Sequence, residues 1–234
     1  MNVFSNLLSR IIIPIHHDGH KFILAFAIVS FILFQIWALL GWLGTILTIW
    51  CIYFFRNPER ITRQKKGLIM SPADGVICKI AKKPPPIELR MGKQERICIS
   101  VFMNVFDCHV NRAPAAGKIS SIVYSKGKFF NASLDKASEK NERNAILIDM
   151  DGKKTLAIVQ IAGLVARRIM CYAKPGERLH AGQVFGLIRF GSRVDVYLPI
   201  GAEPLIAEGQ RAIGGETVFA NLHSEEIAGD ILIS

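Results

Sequence analysis

The sequence predicts a mostly β fold: a sandwich-like β domain with hairpin repeats, preceded by an N-terminal membrane-associated α-helical hairpin. The first observation is an apolar run from Phe22 to Phe55 that contains no charged side chain. The second is the chain after Lys66, in which short alternating or β-branched runs are separated by Gly, Pro and Asn, as in strands joined by turns. We therefore expect an anchor over residues 1–66 and a β-rich domain over residues 67–234.

The composition narrows the class of protein. Half of the 234 residues are hydrophobic, and 29 Lys and Arg against 19 Asp and Glu give a net charge of +10. These values exclude a disordered chain, a collagen-like chain and a small disulfide scaffold. Soluble nucleic-acid-binding proteins are seldom so apolar, so we expect no nucleic acid and an anionic membrane surface as the partner.

The apolar run predicts a hairpin of two helices that spans the bilayer or only dips into it. As one helix, at about 1.5 Å per residue, Phe22–Phe55 would be roughly 50 Å long, well beyond a hydrocarbon core of about 30 Å. The two glycines in Gly41–Gly44 are the expected bend. A signal peptide is disfavoured because the run is too long and lacks a small-residue cleavage site. Basic residues on both flanks predict that both ends lie in the cytoplasm: Arg10, Lys21, Arg56, Arg60, Arg63, Lys65 and Lys66.

The chain ahead of the hairpin predicts a short interfacial helix, with an extra core helix as the alternative. His16, His17, Asp18 and His20 follow it, but adjacent histidines in such a flank more often titrate than bind a metal, so we expect no metal site. The five cysteines form no C-x-x-C pair and no zinc or disulfide framework, in agreement with a reducing cytoplasmic face. Apolar residues at helical spacing define the predicted helix: Phe4, Leu7, Leu8, Ile11, Ile12 and Ile15.

The β-rich part contains internal repeats. Pro72–Val76 and Pro114–Lys118 are similar turns that each lead into a strand, and the spacing of Gly176 and Gly182 is repeated later by a second glycine pair, Gly209 and Gly215. Repeats of this kind indicate stacked hairpins in a sandwich. The predicted strands cover residues 69–81, 96–105, 117–125, 145–150, 155–161, 183–190 and 193–199.

One of these repeats, GERLHAGQVFGLI from Gly176, resembles the barrel-sandwich hairpins of biotinyl and lipoyl carrier domains. Those domains present a modified lysine on a tight hairpin, commonly within Met-Lys-Met. That tripeptide does not occur in this sequence. The resemblance therefore supports the fold alone.

Three short segments are candidates for chemistry. Ser71–Gly75 holds Asp74 in a Pro/Gly turn, for which a plain Asx turn is the alternative. Ser100–Pro114 ends a strand in a cluster of Asp, His, Asn and Arg; His109 is a candidate general base that a carboxylate such as Asp74 could orient, or else a structural histidine. Arg189–Pro199 contains a Gly-Ser step that is either a turn or a bond at which the chain cuts itself.

Taken together, PADG, FMNVFDCHVNRAP and FGSRVDVYLP, in this order behind an apolar hairpin ending YFFRNPER, closely resemble the phosphatidylserine decarboxylase family of the short bacterial and archaeal type. GKFFNASLDKASEKNER from Gly127 and QIAGLVARRIMCY from Gln160 also resemble that family. The resemblance covers essentially the whole chain.

The resemblance implies a proenzyme that cuts itself between Gly191 and Ser192 into a large chain, 1–191, and a small chain, 192–234. It implies that the small chain begins with a pyruvoyl group, a covalent cofactor derived from Ser192. An imine between this group and the serine amine of phosphatidylserine in the bilayer would then allow decarboxylation to phosphatidylethanolamine and carbon dioxide. The expected location is the cell membrane, at its cytoplasmic face, with a homo-oligomer possible.

The resemblance also assigns roles to residues. Ser192 would be the nucleophile, His109 the general base and Asp74 the orienting acid. Many relatives have a second histidine where this chain has Arg112, so Arg112 is a candidate substrate contact or a structural ion-pair partner; Phe102 and Asn104 are further candidate substrate contacts. The alternatives are a pyruvoyl decarboxylase for another amino-acid head group and a catalytically silent, membrane-anchored lipid-binding or carrier module.

Overall fold

The computed structural model describes residues 13–129, 141–163, 168–189, 192–222 and 230–233. The chain divides into two compact units, Met1–Glu59 and Arg60–Ser234. Most of the predicted interfacial helix, up to residue 12, lies outside the described residues.

The first unit is an antiparallel pair of apolar helices. A 3-10 turn, His17–Gly19, leads into α1, His20–Ile36, and α2 follows over Ala38–Phe54. The chain reverses at the single residue Trp37, whose backbone is extended (φ −160°, ψ 129°). The helical hairpin is confirmed.

The predicted bend at Gly41–Gly44 is wrong, because both glycines lie inside α2 and face α1. A Cβ atom at Gly41 would overlap the ring of Phe34, and one at Gly44 would lie 2.7 Å from Oγ of Ser30. The glycines thus allow close approach of two helices rather than a turn. Next to this contact, the hydroxyls of Ser30 and Thr48 are 3.0 Å apart and form a hydrogen bond.

The helical pair carries one sign of membrane association. The helical segment His17–Ile36 is long and apolar enough to cross a membrane, by length and composition. Many of its large apolar side chains are exposed, as are those of α2, among them Leu24, Phe31, Ile36, Trp42 and Ile46. The side of the membrane on which the ends lie stays a prediction.

The second unit is built from short strands, and the mostly β prediction is confirmed. All of the predicted strands are present, but the first of them is two strands separated by the turn Ser71–Asp74. The bounds are β1 Ile61–Gln64, β2 Leu68–Met70, β3 Gly75–Lys83, β4 Arg96–Met103, β5 Val110–Arg112, β6 Gly117–Ser125, β7 Arg143–Asp149, β8 Thr155–Ile161, β9 Arg168–Cys171, β10 Arg178–Leu179, β11 Val184–Arg189, β12 Ser192–Tyr197, β13 Glu203–Pro204, β14 Arg211–Ala212, β15 Val218–Asn221 and β16 Asp230–Ile233.

The main sheet has eight strands in the order β10-β6-β7-β8-β12-β4-β3-β14. Two three-stranded sheets, β5-β11-β9 and β13-β15-β2, and the pair β1-β16 complete the unit. All strand pairings among the described residues are antiparallel, which agrees with connections too short for crossover helices. A core of Ile, Val, Ala and Phe side chains covers one face of the main sheet.

The two edges of the main sheet are built alike, as the glycine repeats predict. At one edge the Gly209 amide donates to the Ile77 carbonyl at 2.8 Å, and at the other the Gly176 amide donates to the Ile119 carbonyl at 2.8 Å. Both glycines have φ near +85°, in the left-handed region that favours glycine. The repeated sequence therefore corresponds to a repeated structural unit.

The strand register brings three strand ends to one place. Ser192, the first residue of β12, pairs with Met103, the last residue of β4. On the other side of β4, Phe102 pairs with Val76, close to the start of β3. The turn that carries Asp74 and the start of β12 at Ser192 therefore lie at the same end of the main sheet.

Candidate active site

Ser192 is fully buried at this end of the sheet. Its Oγ lies 4.0 Å from Sδ of Met103, the partner in the strand register. A thioether is a weak acceptor, so this contact contributes little hydrogen bonding. Gly191, the other half of the predicted cleavage site, lies outside the described residues.

Asp74 is held in a tight turn at the start of β3. The Ser71 hydroxyl donates to the carbonyl of Ala73 at 2.7 Å and fixes the turn. The Asp74 carboxylate accepts from Nη2 of Arg60 at 2.7 Å and from the Gly214 amide at 2.8 Å. These two charge-assisted hydrogen bonds stabilise the ionised carboxylate.

Gly75 allows this turn to approach β4. A Cβ atom at this position would overlap the carbonyl of Phe102, so only glycine fits without a shift of the backbone. The glycine of the Pro-Ala-Asp-Gly sequence is thus required by packing.

His109 is fully buried just before β5. Its Nδ1 lies 3.0 Å from the carbonyl oxygen of Asp107. A carbonyl can only accept, so Nδ1 carries the proton, and in the neutral ring Nε2 is unprotonated. The imidazole is therefore in the tautomer that a general base at Nε2 requires.

Asp107 organises the loop that orients His109. Its backbone amide donates to the Asn104 carbonyl at 3.0 Å, and its carboxylate accepts from the Asn104 amide at 2.9 Å. The same carboxylate accepts a hydrogen bond from Nη2 of Arg211. Because Asp107 is nearly inaccessible to solvent, these contacts fix the carbonyl that holds His109.

Asn104 therefore has a structural contact in this loop. Its Oδ1 accepts from the Phe106 amide at 2.8 Å, as in an Asx turn.

Phe102 pairs with Arg193 across the strands, and neighbouring residues of a strand point to opposite faces. Phe102 and Ser192 thus lie on opposite faces of the sheet.

Arg193 and Asp195 form a buried pair on that opposite face. The Nε atom of Arg193 lies 2.6 Å from Oδ1 of Asp195, and Nη2 lies 2.9 Å from Oδ2. Burial alone would lower the pKa of Arg193, but the charge and hydrogen bonds of Asp195 raise it. The bidentate pair stabilises the strand that begins at Ser192.

Arg112 is buried on the other side of β5 from Asn111. Its Nη1 donates to the Gly182 carbonyl at 3.0 Å. Burial lowers the pKa of Arg112, Arg60 lowers it further, and the charges of Asp74 and Glu216 oppose that effect. Arg112 thus shares one electrostatic environment with Asp74.

A chain of buried amides reaches the site from the sheet. Nδ2 of Asn144 donates to Oε1 of Gln160 at 2.9 Å, and Nε2 of Gln160 donates to Oδ1 of Asn111 at 2.8 Å. Nδ2 of Asn111 then lies 3.8 Å from Sδ of Met103, the same sulfur that Ser192 contacts. The amide chain therefore ends beside the Ser192 hydroxyl.

The histidine-rich flank of the first unit brings His16, His17 and Asp18 close together. One ligand atom from each lies within 4.8 Å of the others. However, Nδ1 of His16 accepts from the Asp18 amide at 3.3 Å, so in the neutral ring the proton is on Nε2. This contact occupies the electron pair of Nδ1, and the expectation of no metal stays a prediction.

Sequence reasoning did not single out several residues of the site. Asp107 and Asn111 lie within the motif around His109, so the density of polar residues there was the available signal. Arg60 ends the segment YFFRNPER and Gln160 begins the segment QIAGLVARRIMCY, but neither segment shows which of its residues contact the site, and Asn144 lies outside the segments that carry the resemblance.

Comparisons with known proteins agree with the motifs. A family model described as phosphatidylserine decarboxylase matches residues 47–220. A protein of Ruegeria pomeroyi named phosphatidylserine decarboxylase proenzyme is 59% identical over 209 residues, which cover 89% of this chain and 95% of that relative. A protein of Cereibacter sphaeroides with the same name is 56% identical over 221 residues, 94% of this chain and 95% of that relative.

Proposed function

The chain belongs to the phosphatidylserine decarboxylase family, and we propose that it converts phosphatidylserine to phosphatidylethanolamine and carbon dioxide after cutting itself between Gly191 and Ser192. The name proenzyme, which both relatives carry, supports processing of a precursor. The pyruvoyl cofactor and the cleavage site come from the family resemblance and are part of this proposal.

The observation that carries the proposal is the environment of Ser192. Its hydroxyl is fully buried, and the hydrogen-bond partner given by the described residues is a thioether sulfur at 4.0 Å. A serine that served only the fold would be expected to satisfy its hydroxyl with a strong acceptor, because buried polar groups are costly when poorly paired. A weakly held hydroxyl is suited to act as a nucleophile.

In the proposed cleavage, Nε2 of His109 takes the proton from Oγ of Ser192 while Oγ bonds to the carbonyl carbon of Gly191. The carbon–nitrogen bond then breaks, the imidazolium returns the proton to the nitrogen, and an ester replaces the amide. Removal of the Ser192 Cα proton expels the Gly191 carboxylate and leaves dehydroalanine. Water converts this residue to a pyruvoyl group and ammonia.

The residues around position 192 fit such a group. Met103 supplies an apolar side chain, and its Sδ lies 4.0 Å from Oγ of Ser192 and 3.8 Å from Nδ2 of Asn111. Asn111 therefore supplies an N–H donor near position 192, which suits a ketone that accepts but does not donate hydrogen bonds. The pyruvoyl group supplies an electrophilic ketone that accepts the electron pair left by carbon dioxide. His109, with its proton on Nδ1, is placed in this proposal as the group that holds and returns protons at Nε2.

Two guanidinium groups near Asp74 are candidates to hold an anionic substrate. Arg60 and Arg112 are close to one another, and the Asp74 and Glu216 carboxylates lie in the same environment. We assign the two guanidinium groups to the substrate carboxylate or phosphate, and Asp74 keeps the role of orienting acid that the family resemblance implies.

Lipid access is supported by two exposed features. Phe106, in the loop that orients His109, is 61% exposed, and the apolar pair α1–α2 exposes large side chains. We propose that both meet the cytoplasmic leaflet of the cell membrane, where the positive net charge favours anionic lipid. A tethered enzyme then meets phosphatidylserine by lateral diffusion.

The proposal is tested with vesicles that contain phosphatidylserine labelled in its carboxyl group. The wild type should release labelled carbon dioxide, and the Ser192→Ala and His109→Ala variants should release none above background. Ser120→Ala and His180→Ala, at exposed positions, are matched controls that should keep wild-type activity. Release from another amino-acid head group alone would change the substrate, and a wild type without activity on any head group would favour a lipid-binding module.

A further inference from the structure

We propose that Nδ2 of Asn111 donates a hydrogen bond to the oxyanion formed when Ser192 attacks the preceding carbonyl, and that Gln160 and Asn144 are positioning residues that direct Nδ2. This inference rests on the proposed self-cleavage and assigns one donor that stabilises its charged intermediate.

The amide chain is a continuous path of short hydrogen bonds through the core. Asn144 and Gln160 lie opposite each other on β7 and β8, and Gln160 lies opposite Val194 on β12. Residues that face each other in antiparallel strands point to the same side, so both amides lie on the face that carries Val194 and the core. The distances are 2.9 Å from Asn144 to Gln160 and 2.8 Å from Gln160 to Asn111.

The direction of the hydrogen bonds along the amide chain follows from the last contact, between Asn111 and Met103. The Met103 thioether can accept a hydrogen bond but cannot donate one. Asn111 therefore turns its NH₂ group toward the sulfur and its Oδ1 toward Gln160. With that end fixed, Gln160 must donate through Nε2 and accept through Oε1, which requires Nδ2 of Asn144 as the donor.

The Asn111 donor is poorly satisfied where it lies. Asn111 is fully buried, and a sulfur at 3.8 Å is a weak partner for an amide N–H. Three buried side-chain amides also cost free energy that apolar residues of the same shape would not cost. Both the weak partner of Asn111 and the presence of three buried amides are explained if Nδ2 binds a negatively charged oxygen that exists only during the reaction.

The donor lies in the neighbourhood of the Ser192 hydroxyl. Nδ2 of Asn111 and Oγ of Ser192 contact one sulfur atom, at 3.8 and 4.0 Å, so their separation cannot exceed the sum of these distances. The attacked carbonyl carbon is bonded directly to the Ser192 nitrogen. When the Oγ–carbon bond forms, the carbonyl π electrons move to the oxygen; when the carbon–nitrogen bond breaks, they return. Nδ2 stabilises the oxygen between these two events without itself losing a proton.

The first test is Asn111→Asp, which keeps the shape and the contact with Gln160 but replaces the N–H donor by an oxygen. Cell-free synthesis of the full chain, followed by intact mass against time, gives the rate at which the two chains appear. We expect cleavage about 10²-fold slower than in the wild type, as for loss of one oxyanion donor. A wild-type rate in this variant would overturn the inference.

The second test reverses the hydrogen bond between residue 160 and Asn111 and leaves Asn111 in place. In Gln160→Glu the residue can no longer donate, so Asn111 turns its NH₂ toward the new carboxylate and presents Oδ1 to the site. We expect cleavage slowed by about the same factor as in Asn111→Asp. The matched control is Gln64→Glu. Gln64 also donates through Nε2 to an oxygen, the Ala181 carbonyl at 2.9 Å, but it does not belong to the amide chain. This variant should cleave at the wild-type rate.

A triple variant separates this role from stability. Replacing Asn111, Gln160 and Asn144 together by Leu removes all partners at once, which is often nearly neutral for folding. We expect a folded chain, with a thermal unfolding midpoint at or above that of the wild type, that still cleaves about 10²-fold more slowly. A folded triple variant with a wild-type cleavage rate would refute the proposal.

These outcomes also separate the inference from the proposed function. If the wild type itself never cleaves, the proposed function fails. If the wild type and the Asn111 variants cleave equally but the variants decarboxylate slowly, the function stands and the assignment of Asn111 to the cleavage oxyanion is wrong.

Discussion

The loop that orients His109 gives the sharpest prediction for a single substitution, Asp107→Asn. The change keeps the shape but removes the charge and replaces one accepting oxygen by a donor. In the wild type, the Asp107 carboxylate accepts hydrogen bonds from the Asn104 amide at 2.9 Å and from Arg211. The asparagine can satisfy only one of these two donors.

The magnitude follows from these contacts. Loss of a hydrogen bond to a charged group costs about 1.5–3 kcal/mol, and a buried donor without a partner costs about 1–3 kcal/mol more. The Arg211 side chain is 61% exposed and can return to water, so its share is small. We expect the free energy of unfolding to fall by roughly 2–4 kcal/mol, and cleavage to slow by about tenfold or more because the Asp107 carbonyl no longer holds His109 firmly.

Stability is measured by urea unfolding in detergent, in the Ser192→Ala background, so that each protein is a single uncut chain. Cleavage is measured separately with Ser192 present. The control is Asp149→Asn, an exposed aspartate that accepts from the Ser120 hydroxyl at 3.1 Å, where we expect a change within about 0.5 kcal/mol. If Asp107→Asn equals this control in both stability and cleavage, the proposed role of the loop is wrong.

Three further predictions concern pH, the helical pair and the exposed loop. Burial raises the pKa of the Cys98 thiol and the Tyr197 phenol, so the folded chain keeps protons that the unfolded chain releases above its ordinary values of 9.0 and 10.0. Stability should be intact below pH 9 and fall as the pH rises above it, measured by urea unfolding at several pH values. Gly44→Leu should lower the thermal midpoint in detergent, since a Cβ there meets Ser30 at 2.7 Å. Phe106→Ser should weaken binding to anionic vesicles several-fold in sedimentation assays, because an exposed apolar anchor is lost.

Each of these has a direct control. The double variant Cys98→Ala, Tyr197→Phe should show a smaller loss of stability at high pH, and an unchanged slope would contradict the assignment. Leu43→Ala changes an exposed side chain of α2 and should leave the midpoint close to that of the wild type. Ile87→Ser, at an exposed apolar position outside the loop, should bind vesicles as tightly as the wild type. If Phe106→Ser also binds as tightly as the wild type, the loop is not a membrane contact.

The β fold could be predicted because its signals are local. Strands such as Gly117–Ser125 and Thr155–Ile161 show alternation or β-branched runs bounded by turn residues, and the structure has both with the predicted bounds. The bend of the helical hairpin could not be predicted from glycine alone. In an apolar helix a glycine also serves close packing, and only the contacts of Gly41 and Gly44 with α1 distinguish the two uses.

The candidate site was predictable only where its residues share a motif. Ser192, His109 and Asp74 each lie in a recognisable segment, and the strand register explains how two of these segments reach the same end of the sheet. Gln160 begins a segment that resembles the family, but its sequence gives no sign of a role in the site, because an amide within an apolar strand is an ordinary polar position. Its role depends on a partner 49 residues away in the chain, which only the folded structure reveals.

The central claim is that the chain cuts itself at Ser192 and turns this residue into the cofactor. The most direct test is the intact mass of the purified wild-type protein under denaturing conditions, with Ser192→Ala beside it. We predict two chains for the wild type, residues 1–191 and a small chain whose N-terminus has the mass of a pyruvoyl group, and one full-length chain for the variant. A wild type that remains a single 26.0 kDa chain in the presence of phosphatidylserine vesicles would contradict the account.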